Sequence, residues 1–163
     1  MTWLGRAILP PETVSASLEV LFEGPVSHVQ VFEHSLFVRL HGRAIATTRP
    51  RRIYLRGSGA EFFDNPWLML HEYWHVIKQW ESRTLTIPSY IAECMRRGYW
   101  NNRFEVEARA FADAHAHRLH TMLRGTAVIS QTGSWSTQQR FAVIQPPSYE
   151  DQDGSDGEGG SNR

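Results

Sequence analysis

Apolar residues return at helical spacing in the first stretch of the chain: Val14, Leu18, Leu21 and Phe22 fall at i, i+4, i+7 and i+8 behind Pro10-Pro11. That spacing predicts a helix up to about Phe22, ended by Gly24-Pro25. The period then shortens. Val29–Phe32, Leu36–Leu40, Ala44–Thr48 and Arg52–Leu55 predict four short strands, enough for a small sheet. Asn65-Pro66 reads as an N-cap followed by proline at the first helical position, and the run from Trp67 to Trp80 contains neither glycine nor proline. Leu68, Leu70, Trp74, Val76 and Ile77 lie around most of the circumference of this helix, which predicts burial on nearly all sides. A connecting helix follows from Pro88 to Arg97, closed by Gly98, and a further helix starts at Asn102. The sum is an α+β fold. No internal repeat is present.

Composition sets the domain limits. At 163 residues, 41% apolar and 12% aromatic, the chain has enough material for one core. Its zero net charge hides an asymmetry: Glu150, Asp151, Asp153, Asp156 and Glu158 face a single arginine in residues 150–163, leaving a net of +4 on residues 1–149. We therefore expect a folded domain over 1–125, a C-terminal extension over 126–149 in which Ala127–Ile129 and Phe141–Ile144 could pair as a hairpin, and an acidic Gly/Ser-rich disordered tail over 150–163. Cys94 is the sole cysteine, which excludes an intrachain disulfide and a thiolate zinc ribbon. The sequence shows neither a Sec-type leader nor eighteen consecutive apolar residues, so no membrane association is expected.

The chemistry is concentrated in His71-Glu72-Tyr73-Trp74-His75. On a helix, residues four apart return to nearly the same face, so both imidazoles of an HExxH motif reach one ion. Glu72 stands beside that face, where a carboxylate is poorly placed as a ligand and well placed to polarise a metal-bound water. A third ligand is expected from the helix that begins at Asn102. Asn102 and Glu105 form an N-x-x-E capping pattern, which would occupy Glu105 at the helix terminus and leave Glu107 to point inward, between small residues that let two helices approach.

HEYWH, followed some thirty residues later by Tyr99-Trp100-Asn101-Asn102-Arg103-Phe104-Glu105-Val106-Glu107-Ala108, resembles the small bacterial zincin-like domains of the gluzincin group. Within that group it resembles the core domain family of extracellular contractile injection systems. The Glu-Ala-x-x-Phe-Ala pattern of Glu107 to Ala112 is shared with the phage-repressor-cleaving metallopeptidases. The resemblance implies a minimal zincin-like core: a small N-terminal sheet, an active-site helix, a connecting helix and a third-ligand helix. It further implies His71, His75 and Glu107 as ligands of Zn²⁺, Glu72 as general base, and a peptide or protein substrate. Pairing of that substrate with a sheet strand is implied too, with Ile53-Tyr54-Leu55 the candidate. Lys78 stands where such domains often carry glutamine, and Gln79 comes one place later.

The expected activity is therefore a zinc-dependent metallopeptidase in which Glu72 activates the zinc-bound water, with Tyr99 or Tyr90 as possible transition-state stabilisers. The alternative is a zinc-stabilised, non-catalytic interaction domain associated with a contractile injection apparatus or its cargo, and a third reading is a helical domain without metal. Residence in the cytoplasm is expected, with export by a non-Sec route compatible with the sequence. His115, His117 and His120 read as an ordinary exposed helix face, since 117 and 120 alone supply only two ligands. The Arg49, Arg51, Arg52 and Arg56 cluster reads as a solvated loop facing the acidic tail, because no nucleic-acid module accompanies it. Trp67, Trp74, Trp80 and Trp100 read as core.

Overall fold

A computed structural model describes residues 3–40 and 44–128, with side chains up to 125. Four short strands form one sheet in the order β1-β2-β4-β3: β1 is Arg6–Ile8, β2 Gln30–Glu33, β3 Ala46–Arg49 and β4 Arg52–Leu55. β1 runs antiparallel to β2, β2 parallel to β4, and β3 antiparallel to β4, with Val31 opposite Ile53 and Ile53 opposite Thr48. The helices are α1 Glu12–Phe22, α2 Leu36–Arg39, α3 Gly59–Phe63, α4 Pro66–Trp74, α5 Ile87–Arg97 and α6 Arg103–Val128, and α4 continues into a π-helical segment, His75–Trp80. The molecule is an α+β protein. No described helix is long and apolar enough to cross a membrane.

The core lies between one face of the sheet and the long helices. Val31, Ile53 and Leu55 meet Leu18 and Phe22 of α1, Met69, Leu70 and Tyr73 of α4, and Ala112 and Leu119 of α6. The closest helix pair is α4 with α6, and small side chains explain it: Ala108, Ala112 and Ala116 form a buried row one turn apart. Asn65 caps α4 by accepting from Leu68 N–H at 3.0 Å, and Pro66 follows as expected. Gly98 closes α5 with a positive φ of 72°.

Several elements differ from the sequence expectation. Leu36–Arg39 is a helical turn and not a strand, because His34 takes a left-handed conformation (φ 51°) and ends β2, after which Phe37 tucks its ring against Tyr54, 5.2 Å away. β1 and α3 were not foreseen; each is too short to carry a periodic signal. Ile53-Tyr54-Leu55 lies in β4, which is paired on both sides and has no free edge for a peptide. Trp67, Trp74 and Trp80 are only half-buried, and Trp100 is exposed. The Arg49 guanidinium lies 5.0 Å over the Phe37 ring and is not simply solvated. Of the expected hairpin, Ala127 and Val128 belong to α6; the rest of it, and the acidic tail, fall outside the described residues.

Glu33 ties the sheet to α3. Its carboxylate accepts the Gly59 N–H at 2.8 Å at the start of that helix and the Arg6 Nε–H at 2.7 Å from β1. The Gly59 N–H first, and the Arg6 contact second, hold this buried carboxyl below its ordinary value. A depressed carboxylate stabilises the fold above its unfolded value, about 4.3, and this contribution is lost as pH falls through the lower folded value. Glu33→Gln should thus reduce the unfolding free energy by about 1–2 kcal/mol at pH 7. In urea titrations the gap to wild type should narrow below about pH 4; a gap independent of pH would contradict this role for Glu33.

Candidate metal centre

His71 lies in the last turn of α4 and His75 at the first position of the π-helical segment, one turn further on. Their Nε2 atoms are 3.1 Å apart. The carboxylate that meets them belongs to Glu105, with Oε2 at 3.3 Å from His71 Nε2 and Oε1 at 3.7 Å from His75 Nε2. All three side chains are buried, and together they form the only group of three or more His, Cys, Asp or Glu side chains among the described residues that could hold a metal ion. His115, His117 and His120 gather no such group.

Glu107 is not that carboxylate. Two residues along a helix is a rotation of about 200°, so Glu105 and Glu107 cannot share a face. Glu105 falls in line with Ala108, Ala112, Ala116 and Leu119, the buried face of α6, whereas Glu107 is exposed and accepts a hydrogen bond from Gln79 Nε2 at 3.0 Å. The expected capping role for Glu105 also fails. Asn102 caps α6 alone, its Oδ1 accepting Phe104 N–H at 3.0 Å, which releases Glu105 to turn inward. The signal in the sequence was the spacing 105, 108, 112, 116, 119, which marks the inward face.

Both candidate tyrosines converge on Glu105. Tyr90 of α5 donates its hydroxyl to Oε1 at 2.7 Å, and Tyr99 donates to Oε2 at 3.2 Å. Burial, reinforced by the neighbouring Glu105 charge, pushes both phenols far up, so they remain protonated donors. Their geometry makes them holders of the Glu105 carboxylate. Gln79 accepts from His75 Nδ1 at 2.7 Å. Trp67 stacks on the His71 ring with centroids 5.1 Å apart, and is itself fixed by donating Nε1–H to Asp113 at 2.7 Å. His71 Nδ1 has no hydrogen-bond partner among the described residues.

The electrostatics follow from burial and proximity. Burial alone would raise Glu105, but His71 and His75 outweigh it and hold the carboxyl well below its ordinary value. Burial alone would lower His75, yet Glu105, with Glu72 adding to it, leaves this imidazole raised. Glu72, buried beside the three, is raised by desolvation against the pull of His71 and His75. It carries no ligating role in the cluster.

The three side chains lie close enough for one metal ion to gather them. Ligand atoms at about 2.1 Å from a tetrahedral centre stand about 3.4 Å apart; here the two Nε2 atoms are 3.1 Å apart, Glu105 Oε2 is 3.3 Å from His71 Nε2, and one ligand atom from each of the three residues lies within 4.8 Å of the other two. Three protein ligands leave one position of such an ion open. No protein-family model, no curated protein and no solved structure matches the chain, so the site is read from its own geometry.

The placement separates the two glutamates experimentally. Elemental analysis of the purified, metal-reconstituted protein should find about one metal per chain. His71→Ala, His75→Ala and Glu105→Ala should each lose it, while Glu107→Ala retains it; the reverse order of the two glutamates would overturn the assignment.

Proposed function

We propose that the chain is a zinc-dependent metallopeptidase of minimal zincin type, with His71, His75 and Glu105 as ligands and Glu72 as general base. Two imidazoles and one carboxylate are the donor set of catalytic zinc, as opposed to the four protein ligands of structural sites. The observation that carries the reading is Glu72, a buried carboxylate next to the three ligands that is not one of them. A structural site has no use for it.

Bound between these side chains, zinc supplies Lewis acidity, making water acidic near neutral pH and polarising a carbonyl. Glu72 accepts the proton of the attacking water and returns it to the leaving amine. Tyr90 and Tyr99 hold Glu105 in place from the side of α5 and its following turn. Substrate alignment falls to β3. It is the sheet edge packed beside the site helix, tied there by Trp80 Nε1–H donating to Thr48 Oγ1 at 3.1 Å, and an extended peptide can add to it by main-chain hydrogen bonds.

One observation favours the alternative of a metal-stabilised interaction domain: the ligands are only 4–7% exposed, as in a structural centre. Glu72→Gln distinguishes the two. On the peptidase reading, the zinc-loaded variant keeps its metal and cleaves a peptide library at least about a hundredfold more slowly than wild type, measured by mass spectrometry of the products. Equal cleavage by the two proteins would remove Glu72 from its role, and a metal-replete wild type that cleaves nothing would favour the interaction domain.

A further inference from the structure

We infer that Gln79 is the positioning residue of the metal centre: its side-chain amide fixes the tautomer and ring plane of His75 and locks that ring to the first turn of α6, which carries Glu105. This deepens the metal-site reading above and rests on it.

The orientation of the amide follows from its partners. Gln79 is 1% exposed, and its Nε2 faces two oxygens, the backbone carbonyl of Phe104 at 3.0 Å and Glu107 Oε2 at 3.0 Å. Both oxygens can only accept, so the NH₂ group must point at them. The amide oxygen is thereby turned to His75 Nδ1 at 2.7 Å, and only a donor can sit opposite it. His75 therefore carries its proton on Nδ1 when neutral. Its Nε2 lone pair then faces His71 and Glu105. A flipped amide would set oxygen against two acceptors, and the cost of burying such a mismatch keeps the arrangement single.

The π-helical segment makes this geometry selective. In an α-helix, positions 78 and 79 would lie about 60° to one side and 40° to the other of His75. With about 4.4 residues per turn, position 78 swings to roughly 110° away while 79 stays within about 30°. The structure agrees: Lys78 leaves the site and donates to the Phe22 carbonyl at 3.2 Å, whereas Gln79 stays on the face of His75. The Phe104 carbonyl that receives Gln79 immediately precedes Glu105. One neutral side chain thus sets the second ligand's ring and its spacing from the third ligand's backbone. A carboxylate would keep the acceptor for His75 Nδ1 but lose the link to α6, because it has no donor for the Phe104 carbonyl and would meet Glu107.

The test uses the metal-free full chain with ¹⁵N-labelled histidine, held above the histidine titration range, and zinc affinity by chelator competition. In wild type the imidazole nitrogen shifts should show His75 protonated at Nδ1. Gln79→Met, similar in length and without hydrogen bonds, should move the proton toward Nε2 and weaken zinc binding about 10- to 100-fold. Gln79→Glu, which keeps an acceptor, should retain the Nδ1 proton, and Glu107→Ala should change zinc affinity less than about fivefold. An unchanged His75 tautomer in Gln79→Met, or zinc affinity equal to wild type, would overturn the proposal. Failure of wild type to bind zinc would instead overturn the metal-site reading, and the tautomer of the metal-free proteins would still decide the role of Gln79.

Discussion

Placing one carboxylate against two imidazoles inside a helix pair is the constraint around which the rest of this molecule is arranged. Glu105, His71 and His75 are buried together, and a buried charge without partners would cost several kcal/mol. The surrounding residues supply those partners. Tyr90 and Tyr99 hydrogen-bond the carboxylate, Gln79 takes the far side of His75, and the alanine row of α6 lets the two helices come close enough for the ligands to meet. Glu105 also stands in the first turn of α6, where the positive end of the helix dipole favours an anion.

The rest of the fold supports this pair. The sheet and α1 complete one core with α4 and α6, with Phe22 of α1 packed on Tyr73 of α4 and Phe111 of α6 at ring distances of 6.3 and 5.0 Å. α5 is different in kind. It buries only Glu93 fully and exposes Ile87, Ile91 and Met95 along one face, yet it delivers Tyr90 to the centre of the site. It is anchored through Asn102, whose side chain reaches Cys94 Sγ at 3.1 Å while capping α6. The element that orients the third ligand is therefore held mainly by polar contacts, whereas the element bearing the histidines is held by the core.

The sequence made the long elements legible because their periodicity is strong. α1, the site helix, α5 and α6 all stand where spacing, proline and glycine put them, and His71, Glu72 and His75 needed only the HExxH pattern. The carboxylate that meets the two histidines is Glu105 and not the expected Glu107, for a specific reason. The N-x-x-E pattern points to Glu105 as a cap, and alanines on both sides of α6 leave its inward face ambiguous; burial shows that Ala108 and Ala112 face inward while Ala110 and Ala114 do not. Gln79 was visible but had no assignable role, since the π-helical register that presents it is a backbone property with no residue signature. Leu36–Arg39 failed because strand-like composition cannot register the left-handed turn at His34.

The central claim is that a metal sits between His71, His75 and Glu105, and anomalous diffraction at the zinc absorption edge from crystals of the zinc-loaded protein tests it most directly. The account predicts a single strong peak within about 2.1 Å of both Nε2 atoms and of a Glu105 oxygen. A peak bound by Glu107 in place of Glu105, or no peak between the two histidines, would contradict it.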